Sequence, residues 1–240
     1  MLPKFRWSGI RIWLEKKITK INSRGVRDKR LALFDLDGVL LDSKENMRLS
    51  WDQVRKQLGV TVEFSSYFSR IGRPFKNIMD QLGLSEQAKE IESVYRISSM
   101  ENLKLAQFYP GALEMLSNIS ASEVKIGIVT SKDKLRTDAI LAMLPITFAS
   151  VRTPNPAIRG KPAPDQLLAA MAEVGVDPAD TLYIGDMAAD HEAAVRARVD
   201  YIHAEWGYGL APVDGSLIVS ELSELSAMIL GCEPKREPEP

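Results

Sequence analysis

Cysteine is nearly absent from this chain: of 240 residues, Cys232 alone carries a thiol. An internal disulfide is therefore excluded, as is a zinc site built on cysteine pairs. Histidine is almost as scarce, with His191 and His203 alone, which argues against a histidine-rich metal centre. Long apolar runs are missing too. None approaches the ~18 residues of a membrane-spanning helix, and Arg6, Arg11 and Glu15 interrupt any apolar stretch near the start that would serve as a secretory signal. A cytoplasmic protein is expected. Nor is either sign of charge in excess: 31 Lys and Arg against 32 Asp and Glu give a formal charge of −1, which speaks against a general nucleic-acid binder.

The charge is unevenly placed, however. Among the first thirty residues, ten lysines and arginines stand against Glu15 and Asp28. Ile10, Trp13, Leu14, Ile18 and Ile21 fall on roughly one helical face between them. Residues 1–29 thus read as a basic amphipathic arm. Such an arm would pack on its own domain, on an acidic protein surface, or peripherally on an anionic membrane; nucleic acid is the weakest option. At the other end, residues 232–240 are rich in proline and charge, the composition of a disordered tail.

Between these ends, short apolar runs alternate with helical patterns. The runs are Leu31–Phe34, Val124–Val129, Ile146–Ala149, Thr181–Ile184, Val199–His203 and Leu217–Val219. Their length and Val/Ile content predict buried parallel strands. Helices are predicted over 112–119, 132–144, 164–174, 188–197 and 220–230. This alternation implies a mostly parallel sheet covered on both faces, whose ligands bind at the carboxyl ends of the strands. Three of those ends carry polar groups: Asp35-Leu36-Asp37, Thr130-Ser131 and Gly185-Asp186. From residue 43 to 109 the alternation breaks, no strand is evident, and helices are predicted over 46–58, 74–82 and 85–105. A helical insertion after the first strand results, with hinges near Asp42-Ser43 and Tyr109-Pro110-Gly111.

Asp35-Leu36-Asp37-Gly38-Val39-Leu40 is the most informative segment. Paired carboxylates where a strand ends bind a hard cation through oxygen, or divide nucleophile and acid/base work. Gly38 lets the chain turn and expose both. A calcium loop or a capped turn would use the same residue types. With the segments that follow, Asp35–Leu40 resembles the first motif of the haloacid dehalogenase superfamily. Thr130-Ser131 resembles the second motif, Lys161 in Gly160-Lys161-Pro162 the third, and Gly185-Asp186-Met187-Ala188-Ala189-Asp190 the fourth. The order is the family's, and the resemblance covers roughly residues 30–230.

The resemblance implies an α/β fold: a three-layer Rossmann-like core over 30–43 and 109–231, with a small α-helical cap over 44–108. It implies a magnesium-dependent phosphatase of the phosphoglycolate phosphatase-like kind, acting on a small phosphorylated metabolite through an aspartyl-phosphate. Asp35 would be the nucleophile and Asp37 the general acid and base. Mg2+ would be held by Asp35, the Asp37 backbone carbonyl and Asp186. Thr130, Ser131 and Lys161 would bind the phosphoryl group, Asp190 would support Lys161 or a metal-bound water, and Arg73, in Ile71-Gly72-Arg73-Pro74, would meet an anionic group on the substrate from the cap. Helix capping by Thr130 and Asp186, and solvated positions for Lys161, Asp190 and Arg73, are the structural alternatives. A phosphomutase, a phosphonatase using a cap lysine such as Lys56 or Lys76, and a binding protein acting through the arm are the alternative functions. The substrate and the oligomeric state are left open.

Overall fold

The computed structural model describes residues 26–212 and 216–231. The basic arm up to residue 25 and the 232–240 tail lie outside the described residues.

The first apolar run forms β1 (Leu31–Phe34), every residue of it buried. It is flanked by β4 (Lys125–Val129) and β6 (Thr181–Gly185), both parallel to it. With β5 (Ser150–Arg152), β7 (Asp200–Ala204) and β8 (Leu217–Val219) they make a six-stranded sheet in the order β5-β4-β1-β6-β7-β8, parallel throughout. Alternate side chains of a strand point to opposite faces, and β1 shows the consequence. Ala32 and Phe34 join one apolar cluster, with Leu116 and Leu225. Leu31 and Leu33 join another, with Leu167 and Ala194. Both faces are covered by helices, which is why the strands read as continuous apolar runs rather than alternating ones. The covering helices are α5 (Ala112–Ser120), α6 (Lys134–Leu141), α7 (Asp165–Val174), α8 (Ala188–Ala197) and α9 (Leu222–Leu230). The chain leaves β1 toward β4 and β5, then returns to β6 on the other side. That reversal makes the carboxyl end of β1 the switch point where such sheets bind ligands.

Residues 44–101 supply α1 (Lys44–Leu58), α2 (Phe64–Phe68), α3 (Phe75–Gln81) and α4 (Ala88–Glu101). They bury an apolar cluster of their own around Trp51, Met79 and Ile91. Trp51 stacks on Tyr67 with centroids 4.3 Å apart, and its indole N–H donates to the Val62 carbonyl at 2.9 Å. The chain enters and leaves this segment through two short antiparallel strands, β2 (Leu41–Asp42) and β3 (Gln107–Phe108).

The structure departs from the sequence expectation in several places. Residues 146–149 are not the third strand; pairing with β4 begins at Ser150. Ile146 and Phe148 instead lie partly buried against one core face, which accounts for their apolar character. The segment from 43 to 109 is not free of strand, since β3 lies within it. Helix α6 is shorter than 132–144, because Asp133 caps it by accepting the Arg136 amide at 3.2 Å. Among the described residues, no helix is long and apolar enough to cross a membrane.

Candidate active site

Because β4, β1 and β6 are neighbours, the residues that follow them converge. Asp35 follows β1, Thr130 follows β4 and Asp186 follows β6. All three are buried. Lys161, on the loop before α7, is fully buried and reaches the same point. Its Nζ lies 2.8 Å from Asp35 Oδ2 and 2.6 Å from Asp190 Oδ1, and it donates to the Tyr183 hydroxyl at 3.2 Å. Lys161 and Asp190 are thus buried partners, not solvated loop residues.

The remaining expected residues take distinct places. Leu36 donates its amide to Asp35 Oδ1 at 2.7 Å. Asp37 has partners of its own: its Oδ1 accepts from Ser43 Oγ at 2.5 Å and meets Lys132 Nζ at 3.0 Å. Thr130 Oγ1 accepts the Lys132 amide at 3.1 Å. Ser131 does not point its hydroxyl at Asp35; it donates to the Gly72 carbonyl on the loop between α2 and α3, at 2.8 Å. Arg73, on that loop, lines the same cavity and stands 3.9 Å from Glu192. Gly38 adopts φ +83°, and a Cβ there would run into the Asp186 carboxylate. It is therefore a close-approach glycine as well as a turn residue.

Three carboxylates, Asp35, Asp186 and Asp190, offer oxygens within 4.8 Å of one another. They are not equivalent. Asp190 is engaged at both oxygens: Oδ1 takes Lys161 and Tyr183, and Oδ2 takes the Met187 amide at 3.0 Å. Asp186 Oδ2 accepts the Tyr208 amide at 2.7 Å, whereas its Oδ1 is buried with no hydrogen-bond partner among the described residues. A buried acceptor without a donor is costly unless something else satisfies it. Hard oxygen donors with one orphaned carboxylate oxygen fit a divalent cation such as Mg2+. Asp35 and Asp186 fit as carboxylate ligands; Asp190 fits as the partner that fixes Lys161.

Burial pushes the Asp35 carboxyl up to about 7, against the opposing pull of Lys161. Burial also raises Asp186, helped by the negative charge of Asp190 and Asp35. For Lys161, burial alone would lower its value; Asp190 and Asp35 overcome that and hold the ammonium above its ordinary range. The raised Asp35 has a thermodynamic consequence. Between about pH 4 and 7 the folded, metal-free chain binds more protons here than the unfolded chain, so stability falls as pH rises through that window. The penalty is absent below it and complete above it. Thermal melts in chelator should show an Asp35-dependent loss on the order of 2–4 kcal/mol from pH 4.5 to 7.5. An equal pH dependence in Asp35→Asn would contradict this.

Several site residues were not legible in the sequence. Lys132 directly follows Thr130-Ser131, and that adjacency was the available signal. Arg136 is buried one turn further on and donates to Ser99 Oγ of α4 at 2.8 Å. Tyr208 receives the Ser43 amide at 2.7 Å, donates to Asp42 Oδ1 at 2.9 Å and packs its ring on Phe68. Such partners come from distant elements, which no local pattern encodes. Together the strand ends and the helical segment enclose a cavity of about 600 Å3, with Asp35, Asp37 and Thr130 in its wall.

Residues 32–204 match the family of haloacid dehalogenase-like hydrolases. A phosphoglycolate phosphatase of Aquifex aeolicus is 27% identical over 183 residues, covering 75% of this chain and 86% of that protein. A validoxylamine A 7′-phosphate phosphatase of Streptomyces hygroscopicus subsp. limoneus is 28% identical over 180 residues, covering 71% and 83%. Among solved structures, a haloacid dehalogenase-like family hydrolase from Streptococcus pneumoniae superposes with a TM-score of 0.73 at 22% identity, covering 83% of this chain and 98% of that one.

Proposed function

The chain belongs to the haloacid dehalogenase-like hydrolases, and from that premise we propose that it is a magnesium-dependent phosphatase of small phosphate monoesters that works through an aspartyl-phosphate on Asp35. One observation carries the reading. At a strand-end switch point, a buried ammonium touches a buried carboxylate, and a second carboxylate beside it keeps an oxygen with no partner among the described residues. The names of the relatives agree with a phosphoric monoester hydrolase.

In the first step a carboxylate oxygen of Asp35 forms a bond to phosphorus as the ester P–O bond breaks. Asp37 gives its proton to the departing alkoxide. Ser43 and Lys132 both hold Oδ1 of that carboxyl, which supports a fixed orientation for the proton transfer. In the second step Asp37, now ionised, takes a proton from water as the water oxygen attacks phosphorus. The Asp35–phosphorus bond breaks and inorganic phosphate leaves. Lys161 offsets the charge gathering on the phosphoryl oxygens, and Asp190 and Tyr183 hold it in place. When bound by Asp35, Asp186 and the Asp37 carbonyl, magnesium would supply the positive charge that lets a carboxylate approach a phosphate dianion. Phosphoryl transfer depends chiefly on such positioning and charge stabilisation.

Hydrolysis of p-nitrophenyl phosphate tests this directly. Turnover should disappear in chelator and return with magnesium. Turnover that is absent across a magnesium titration, or that is indifferent to chelator, would reject the proposal.

A further inference from the structure

The cavity over Asp35 is bounded on one side by strand-end loops and on the other by the helical segment. Its size depends on how closely these two meet, and in this structure they already touch. Ser131 Oγ donates to the Gly72 carbonyl at 2.8 Å, and Arg136 reaches Ser99 at 2.8 Å. The Tyr208 ring packs on Phe68 with centroids 5.1 Å apart. Gly160 lies so near Pro74 that a Cβ would meet the proline ring. The space of about 600 Å3 that remains therefore belongs to an arrangement with its closing contacts made. That is the scale of a drug-sized ligand. A two-carbon phospho-acid has nine non-hydrogen atoms, and at no more than about 30 Å3 each, a water's share of liquid volume, it fills less than about half of it.

The lining is mixed, and one continuous part of it is apolar. Met47, Ile71, Phe75, Ile78 and Tyr95 line it from the helical segment, and Met187 from the core. The buried cations nearby are already engaged: Lys132 with Asp37 at 3.0 Å, and Arg136 with Asp133 at 2.5 Å. The other lining cations, Arg73, Lys76 and Arg96, have side chains 30%, 79% and 48% exposed and so belong to the open side. We infer that the leaving group is a bulky alcohol with an apolar, ring-sized body beside the ester oxygen, and not a two-carbon acid. This rests on the phosphatase reading and narrows it to a substrate class.

The test compares three primary-alcohol phosphates on the full chain with magnesium: 2-phenylethyl phosphate, ethyl phosphate and 2-phosphoglycolate. The first two have leaving groups of similar acidity, so their ratio reports contact with the ring. Burying a ring-sized apolar group is typically worth roughly ten- to a hundredfold in affinity. The kcat/KM for 2-phenylethyl phosphate should exceed both others by at least about tenfold. Ile158→Trp adds bulk at a half-buried lining position outside the apolar clusters and should reduce that ratio. A ratio below tenfold, or an unchanged ratio in Ile158→Trp, overturns the inference and leaves the phosphatase standing. Hydrolysis of p-nitrophenyl phosphate but of none of the three overturns the inference alone; hydrolysis of none of the four overturns both.

Discussion

Asp35→Asn is expected to reduce turnover of p-nitrophenyl phosphate by at least about four orders of magnitude, with the fold retained. The change removes the attacking oxygen's charge and almost nothing else. Asn preserves the shape of a side chain that is 4% exposed and keeps one oxygen as an acceptor. Its amide nitrogen would face either Lys161 Nζ or the Leu36 amide, which now bond Asp35 at 2.8 and 2.7 Å. One donor–donor contact of this kind costs roughly 1–3 kcal/mol. Above pH 7 in chelator, that cost is offset by the loss of a buried charge beside Asp186 and Asp190. Melting temperatures should therefore stay close to those of the parent there. Normal hydrolysis by a folded Asp35→Asn protein would exclude Asp35 as the nucleophile, whatever its position.

Lys161→Met should have the largest effect on stability. Lys161 has no exposed surface, and its ammonium is the counter-charge for Asp35 and Asp190. Removing one member of a buried ion pair leaves the other charge uncompensated, at a cost of about 3–5 kcal/mol. Here two carboxylates lose their partner. The cost should be largest near pH 8 and shrink toward pH 5 as Asp35 takes up a proton. Turnover should fall with it, since the phosphoryl oxygens lose the same positive charge. Lys161→Arg should not rescue activity, because a planar guanidinium is larger and places its charge differently in a space filled to contact. Urea unfolding at both pH values, read beside hydrolysis rates, checks each part. A loss below about 1 kcal/mol at pH 8 would show that Lys161 is not the counter-charge.

Much of the core was readable along the chain. Leu31–Phe34 and Leu217–Val219 are strands over their expected bounds, and α8 is the helix expected over 188–197. A buried parallel strand must be apolar on both faces, so it stands out as an unbroken run between polar residues. Helix α2 was missed because five residues carry almost no periodicity, and a helix that short is not stable on its own. Tyr67 stacked on Trp51 holds it. Likewise β2 and β3 are two residues each, and only their pairing across the intervening helices makes them strands.

Asp35, Asp37, Thr130 and Asp186 could be singled out from their places after strand ends, and Lys161 from its place in the order of motifs the family shares, because strand termini in a parallel sheet are where polar groups meet a ligand cleft. Which of the carboxylates is free was not written there. Asp186 and Asp190 are both buried and four residues apart, yet one keeps an open oxygen while the other is consumed by Lys161, Tyr183 and a backbone amide. That difference, the diversion of Ser131 to Gly72, and the volume left above Asp35 all arise from contacts between segments remote in the chain. Residue type tells what a side chain can do; the neighbours that packing brings to it decide what remains for a ligand.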